Sequence, residues 1–288
     1  MTRLPSFLII GAMKSATSTL YEQLLRQPGI YLPALKEPNY FSDDRQFARG
    51  LAWYEGLFEA AQASDLVGEA STHYTKLPTY PLTVSRMREA LDDPRLIYVM
   101  RHPVDRLISQ YVHQWSENEI RSGINEAVTR HPELVAYSCY TQQLAPFIET
   151  YGKASILPVF FDRLRAAPQA ELERVCQFIG YKGTPRWQSE HERSNVSAER
   201  VRKFPLYELI VDNPLATQLR RTLVPKALRT KVREFFSMRN RPKLSEQNLA
   251  ELERTFDKDL AVLGKWLGTD INCRIFSAVT ASAPMDWK

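Results

Sequence analysis

The 288-residue chain is 44% hydrophobic, enough for a full core, and is read as one domain over residues 1–288. A net charge of +5 and a sequence pI near 9.0 suit an anionic ligand or surface without choosing among nucleotide, glycan, nucleic acid and membrane. Three widely separated cysteines (Cys139, Cys176, Cys273) and five scattered histidines (His73, His102, His113, His131, His191) exclude a disulfide framework, a zinc knuckle and H-E-x-x-H spacing, so no metal site is expected. The first apolar run, residues 4–13, is too short to span a membrane, and no later run reaches that length. A soluble, cytoplasmic protein with no integral membrane segment is expected.

In chain order, residues 7–20 (FLIIGAMKSATSTL) read as strand, anion loop and helix start. The run over 7–10 suits a strand buried on both faces, and Gly11 turns the chain without steric cost. Ser15, Thr17, Ser18 and Thr19 then bring hydroxyls to the unpaired N–H groups of a helix N terminus, where a phosphate or sulfate is favoured. The loop is close to a Walker A motif but lacks the second glycine before Lys14, which weakens a nucleotide-hydrolysing reading. An ordinary strand-to-helix turn holding one lysine is the alternative.

A helix over 17–26 ends at Pro28-Gly29, and Pro33 and Pro38 make the next segment an irregular loop. Lys36 and Glu37 lie in it, and on their own read as a solvated surface pair. An amphipathic helix is predicted over 47–60, a strand over 66–72 and a helix over 80–90. A buried strand over 95–100 then stops at Arg101-His-Pro. Pro103 suits a first helical turn, and a helix over 104–115 follows. Ligands of open parallel sheets lie beyond the carboxyl ends of the strands, so Lys14 and Arg101 should share one crevice, with Ser109 two turns into the helix. The plain alternatives are an Arg101–Asp105 salt bridge and a packing hydroxyl at Ser109.

Residues 116–137 are polar and mixed, read as a lid or an excursion over the site. A helix over 139–151, a strand over 156–161 and a helix over 168–179 complete a repeating pattern that predicts a three-layer α/β sandwich with a central parallel sheet. Residues 220–243 carry nine basic residues, Arg239 among them, against the single acid Glu234. A membrane surface, an acidic glycan or a nucleic acid could use such a patch, and a solvated basic face is the plain reading. A last amphipathic helix over 244–266 has Ser245 as N-cap candidate and Gly268 beyond its end, and residues 278–288 read as a flexible tail.

Two of these stretches, GAMKSATSTL from Gly11 and RHPVDRLISQY from Arg101, resemble the 5′-phosphosulfate loop and the 3′-phosphate motif of sulfotransferases that use 3′-phosphoadenylyl sulfate (PAPS). KEPNYF from Lys36 and GEASTHY from Gly68 resemble segments of the carbohydrate O-sulfotransferase branch that contains the heparan sulfate enzymes. The resemblance implies the P-loop-like sulfotransferase fold and transfer of a sulfuryl group from PAPS to a hydroxyl of a carbohydrate or small metabolite. It also implies release of 3′,5′-adenosine bisphosphate (PAP), with no metal and no nucleic-acid partner. It assigns Lys14 to the transferring group, Ser15, Ala16, Thr17, Ser18 and Thr19 to the 5′-phosphate, and Arg101 and Ser109 to the 3′-phosphate. Glu37 becomes the catalytic base, and Arg239 a residue of the loop closing over the nucleotide. His73 is a weaker candidate for the base. One position departs from that branch: Ala70 stands where it often has a lysine. A P-loop small-molecule kinase and a non-catalytic basic protein binding glycans or membranes are the competing readings.

Overall fold

β1 (Phe7–Gly11) is buried at every residue, as a strand must be when helices cover both faces of its sheet. The structure, a computed structural model, describes residues 4–189, 200–201, 237–238 and 241–288. Around β1 stand α1 (Thr17–Leu25), β2 (Ile30–Tyr31), α2 (Asp44–Phe47), α3 (Leu51–Gly56), β3 (Leu66–Ala70), α4 (Thr83–Ala90) and β4 (Arg95–Met100). Next come α5 (Pro103–Ser116), α6 (Ile124–Arg130), α7 (Glu133–Ala136), α8 (Tyr140–Tyr151), β5 (Ile156–Phe160), α9 (Phe161–Ala166) and α10 (Pro168–Phe178). A two-stranded antiparallel pair, β6 (Arg200–Val201) with β7 (Ser237–Met238), precedes α11 (Glu246–Leu267) and α12 (Phe276–Ser282).

The main sheet has the order β2-β3-β1-β4-β5, and every neighbouring pair is parallel. Alternation along the strands divides the core. Leu8 and Ile10 of β1, with Leu96, Tyr98 and Met100 of β4, pack with α5, α8 and α11 on one side; Phe7, Ile9, Ile97 and Val99 pack with α1 and α10 on the other. This is the three-layer α/β sandwich expected from the pattern.

The departures have local causes. The helix predicted over 47–60 is two short ones: Asp43 caps the first, accepting from the N–H groups of Arg45 and Gln46 at 2.9 and 3.0 Å, and Gly50 at φ 82° breaks the chain before the second. β2 is only two residues long and sits between a turn and Pro33, which leaves no periodicity to detect. The strand predicted over 66–72 ends at Ala70, and the chain winds into a 3₁₀ turn, Thr72–Thr75. Residues 116–137 are not a lid: Ile120, Ile124, Ala127 and Leu134 are buried in the core beside α5, and the buried Arg106 donates to the Leu134 carbonyl at 2.8 Å. The tail segment makes defined contacts. Trp287 Nε1 donates to the Ile156 carbonyl at 2.7 Å, the Lys288 N–H donates to the Trp266 carbonyl at 2.8 Å, and Arg174 pairs with Asp286 at 2.6 Å.

Gly68 marks a close approach within the sheet. A Cβ there would lie 2.2 Å from the ring of Phe7, which is itself wholly buried. Gly68→Ala should therefore cost roughly 1–3 kcal/mol through forced repacking, read as a lower urea midpoint with an unchanged slope; an unchanged midpoint would show that the ring can move aside.

Candidate active site

The expected site residues hang from the carboxyl ends of three adjacent strands. At the end of β1, Gly11 adopts φ 153°, and a Cβ on it would stand 2.0 Å from Thr75 Oγ1. Only glycine allows the chain to turn there, because Thr75 must stay close to donate to the Ile10 carbonyl at 2.7 Å. Lys14 and Ala16 follow with φ 69° and 70°, winding the loop back on itself. Ala16 then opens α1 with no side-chain cap and no acid in the first turn. The first turn of the helix so formed brings no acid of its own, and the Ser15 hydroxyl beside it is wholly buried with no hydrogen-bond partner among the described residues.

Arg101 stands at the end of β4, next to β1. Its Nη1 donates to the Lys14 carbonyl at 3.3 Å, its guanidinium lies 4.7 Å from the Phe161 ring centre, and its Nε is buried without a partner among the described residues. Tyr140 fixes the backbone there, since its hydroxyl bonds the Arg101 carbonyl and accepts from the Arg101 N–H at 3.2 Å. Asp105 is paired with Arg241 and acts on Arg101 only as a nearby charge that favours its protonated form. Burial lowers the guanidinium's affinity for its proton, yet it stays charged. Ser109 is half-buried on α5, as expected two turns beyond Arg101. Arg239 and most of the basic segment 220–243 lie outside the described residues.

The third contribution comes from the proline-bounded loop. Glu37, at φ 53°, donates its N–H to the Ala70 carbonyl at 3.1 Å, and its Oε2 accepts from Thr72 Oγ1 at 3.1 Å. Glu37 is thereby fixed to the carboxyl end of β3, and the solvated-pair reading is corrected. Lys36 is also turned inward: its ammonium donates to Ser18 Oγ at the start of α1 and lies 5.6 Å from the Tyr21 ring centre. Sequence reasoning gave Lys36 no role. Its position directly before Glu37 on the same loop was the available signal. His73 stacks on Tyr80 with ring centres 4.9 Å apart, and burial pushes its pKa down to about 4. The ring is neutral and a poor proton acceptor at neutral pH.

Comparison with known proteins gives this geometry a family. Residues 4–261 match the family model described as "Sulfotransferase domain". The chain belongs to the sulfotransferase family. It is similar to mouse heparan sulfate glucosamine 3-O-sulfotransferase 6, 31% identical over 188 residues that make up 62% of this chain and 53% of that protein. It is also similar to mouse heparan sulfate glucosamine 3-O-sulfotransferase 3B1, 29% identical over 189 residues, 62% of this chain and 47% of the relative. The chain thus spans about half the length of the curated relatives it matches. A solved sulfotransferase from Alicyclobacillus acidocaldarius shares the fold, with a TM-score of 0.66, 21% identity and coverage of 93% of this chain and 98% of that one. Among the described residues, no helix is long and apolar enough to cross a membrane.

Beside these loops, Glu69 is a buried carboxyl that the sequence did not single out. It is wholly buried on β3, and burial raises its pKa from 4.5 to about 7. The hydroxyls of Tyr54 and Tyr74 lie close enough to soften that shift, though outside hydrogen-bonding geometry. Ser71 Oγ donates to Glu69 Oε2 at 3.3 Å and accepts from the Asn39 N–H at 3.0 Å, so Glu69 supports the loop that carries Glu37. Because the folded pKa lies above the unfolded one, its stability contribution is complete below about pH 4.5 and is lost as pH rises through 7. The Tm of the wild type should fall across this window, and Glu69→Gln should remove a large part of the fall. A variant with the same pH dependence as the wild type would show that Glu69 stays ionised in the fold.

Proposed function

We propose that the protein is a PAPS-dependent O-sulfotransferase acting on a hydroxyl of a carbohydrate acceptor. The observation that carries this reading is the run of contacts joining three strand ends: Arg101 to the Lys14 carbonyl, Lys36 to Ser18, and Glu37 to Ala70 and Thr72. The loops that carry Lys14, Arg101 and Glu37 therefore meet at one edge of the sheet. A nucleotide phosphorylated at both ends is supported by two of the buried polar atoms that lack a partner among the described residues, Ser15 Oγ and Arg101 Nε, which belong to the loops read as the 5′- and 3′-phosphate sites. PAPS would supply the activated sulfuryl group.

Each residue's task follows from its chemistry. The α1 N terminus, with the backbone and hydroxyls of residues 15–19, holds the 5′-phosphate through N–H donors and the helix dipole. Lys14 neutralises charge building on the leaving oxygen, and Lys36, tied to Ser18, adds a second cation beside it. Arg101, with Ser109, holds the 3′-phosphate, and Arg239 would close over the nucleotide. Glu37 removes the acceptor's proton as its oxygen attacks, which a hydroxyl of high pKa requires. The acceptor class rests on the similarity to relatives named for heparan sulfate glucosamine.

With a heparan sulfate oligosaccharide as acceptor and PAP release from PAPS as readout, Lys14→Ala and Glu37→Gln should each lower turnover about a hundredfold or more, with unchanged circular dichroism. Near-normal turnover of Glu37→Gln would remove it as the base.

A further inference from the structure

Thr72 is a buried threonine to which the mechanism above gives no task. It is 4% exposed and opens the 3₁₀ turn Thr72–Thr75 that follows β3. Threonines in turns commonly direct the hydroxyl to nearby backbone. Here Oγ1 instead donates across 35 residues of sequence to Glu37 Oε2 at 3.1 Å, and among the described residues it is the hydrogen-bond donor that the Glu37 carboxylate meets.

The turn that carries Thr72 is pinned to the strand from which the anion loop grows. The Ser71 N–H donates to the Ile9 carbonyl at 3.1 Å and Thr75 Oγ1 donates to the Ile10 carbonyl at 2.7 Å, so both ends of the turn hold β1 just before Gly11. The backbone of the Glu37 loop is held to the same segment: the Glu37 N–H donates to the Ala70 carbonyl at 3.1 Å and the Asn39 N–H to Ser71 Oγ at 3.0 Å. Those bonds place the Glu37 backbone, but several rotatable bonds still separate it from the carboxylate. The Thr72 hydroxyl is the contact that reaches the end of that side chain. Its own freedom is small, because its β-branch restricts χ1 and burial keeps competing water away.

We propose that Thr72 is a positioning residue for sulfuryl transfer: its hydroxyl holds one oxygen of the Glu37 carboxylate so that the other meets the acceptor as the base. This rests on the reading of Glu37 as the base. An ionised carboxylate only accepts hydrogen bonds, so engaging Oε2 leaves Oε1 for the acceptor's proton. As the acceptor oxygen bonds the sulfur and the bond from sulfur to the PAPS phosphate oxygen breaks, the proton passes to Oε1 and PAP leaves. Because Thr72 and the anion loop are tied to the same end of β1, base and leaving-group site share one frame. A misplacement of about 1 Å between them can cost about a hundredfold in rate.

The test is a double-mutant cycle read in turnover and in stability. In the PAPS assay with the heparan sulfate oligosaccharide, Thr72→Val, which keeps the β-branch and removes the hydroxyl, should lower kcat roughly tenfold with the Kd for PAP unchanged. Thr72→Ser, which keeps the hydroxyl, should restore most of the rate. In Glu37→Ala the same Thr72→Val change should lower kcat no further, because the group it positions is gone. A wild-type kcat in Thr72→Val, or a loss that Ser does not restore or that persists in Glu37→Ala, would assign Thr72 to packing and overturn the proposal. Urea unfolding needs no substrate: the drop in midpoint caused by Thr72→Val should shrink by at least about half in Glu37→Ala. An undiminished drop would show that the hydroxyl does not hold the carboxylate, and would also overturn the proposal. If the wild type released no PAP from PAPS, the sulfotransfer reading would fall and take the role of Thr72 with it, and a coupling still present in urea would mark that failure as one of the reading and not of the contact.

Discussion

The site depends on one constraint: β1 lies between two parallel neighbours, β3 and β4, and all three strands end on the same edge of the sheet. Strands buried on both faces cannot slip register without moving side chains between the two cores, so their ends are fixed relative to one another. The anion loop grows from β1, Arg101 from β4, and the anchor for Glu37 from β3. Short contacts then tie the ends together, with the Arg101 guanidinium on the Lys14 carbonyl and Thr75 on the Ile10 carbonyl. The chemistry is assembled from residues far apart in sequence by a sheet that leaves them little freedom.

Polar burial at this edge is uneven in an informative way. Several buried groups beneath it are paired: the Tyr140 hydroxyl with the Arg101 backbone, Ser71 with Glu69 and Asn39, Gln143 with Leu77. Among the described residues, Ser15 Oγ and Arg101 Nε are buried without partners, as are Asn39 Oδ1, Glu69 Oε1, His73 Nδ1 and the Tyr54 and Tyr74 hydroxyls. An unmade hydrogen bond at a buried donor costs about 1–3 kcal/mol. The two donors on the loops that carry Lys14 and Arg101 are the ones a bound anion would satisfy together. Glu69 adds a different kind of unfavourable burial, accepted because it stiffens the loop under Glu37.

Much of this was legible in the sequence, for physical reasons. β4 was read at its observed bounds, and β1, β5, α5, α8 and α11 were placed within a residue or two, because long apolar runs and amphipathic periods are set by burial. Ser245 was recognised as an N-cap from residue type and does accept from the Asn248 N–H. Local pattern failed where tertiary contact decides. Residues 116–137 look polar but place an apolar residue toward α5 at each turn, and the last residues are held by backbone hydrogen bonds that composition does not record. In the site, Lys14 and Arg101 announced themselves through strand-end position. Glu37 read alone was a surface charge, and only the resemblance to a family gave it a task. Lys36 and Glu69 stayed silent, since burial of a charged side chain leaves no periodic trace.

The central claim is that the two loops tied by Arg101 bind one nucleotide phosphorylated at both ends. Titration calorimetry of PAP against adenosine 5′-phosphate, on the wild type and on Arg101→Ala, tests it most directly. The wild type should prefer PAP by at least about tenfold, the worth of a hydrogen-bonded charge pair at the 3′-phosphate, and Arg101→Ala should bind the two nucleotides nearly alike. Equal binding by the wild type, or a preference for PAP that survives the loss of Arg101, would contradict the account.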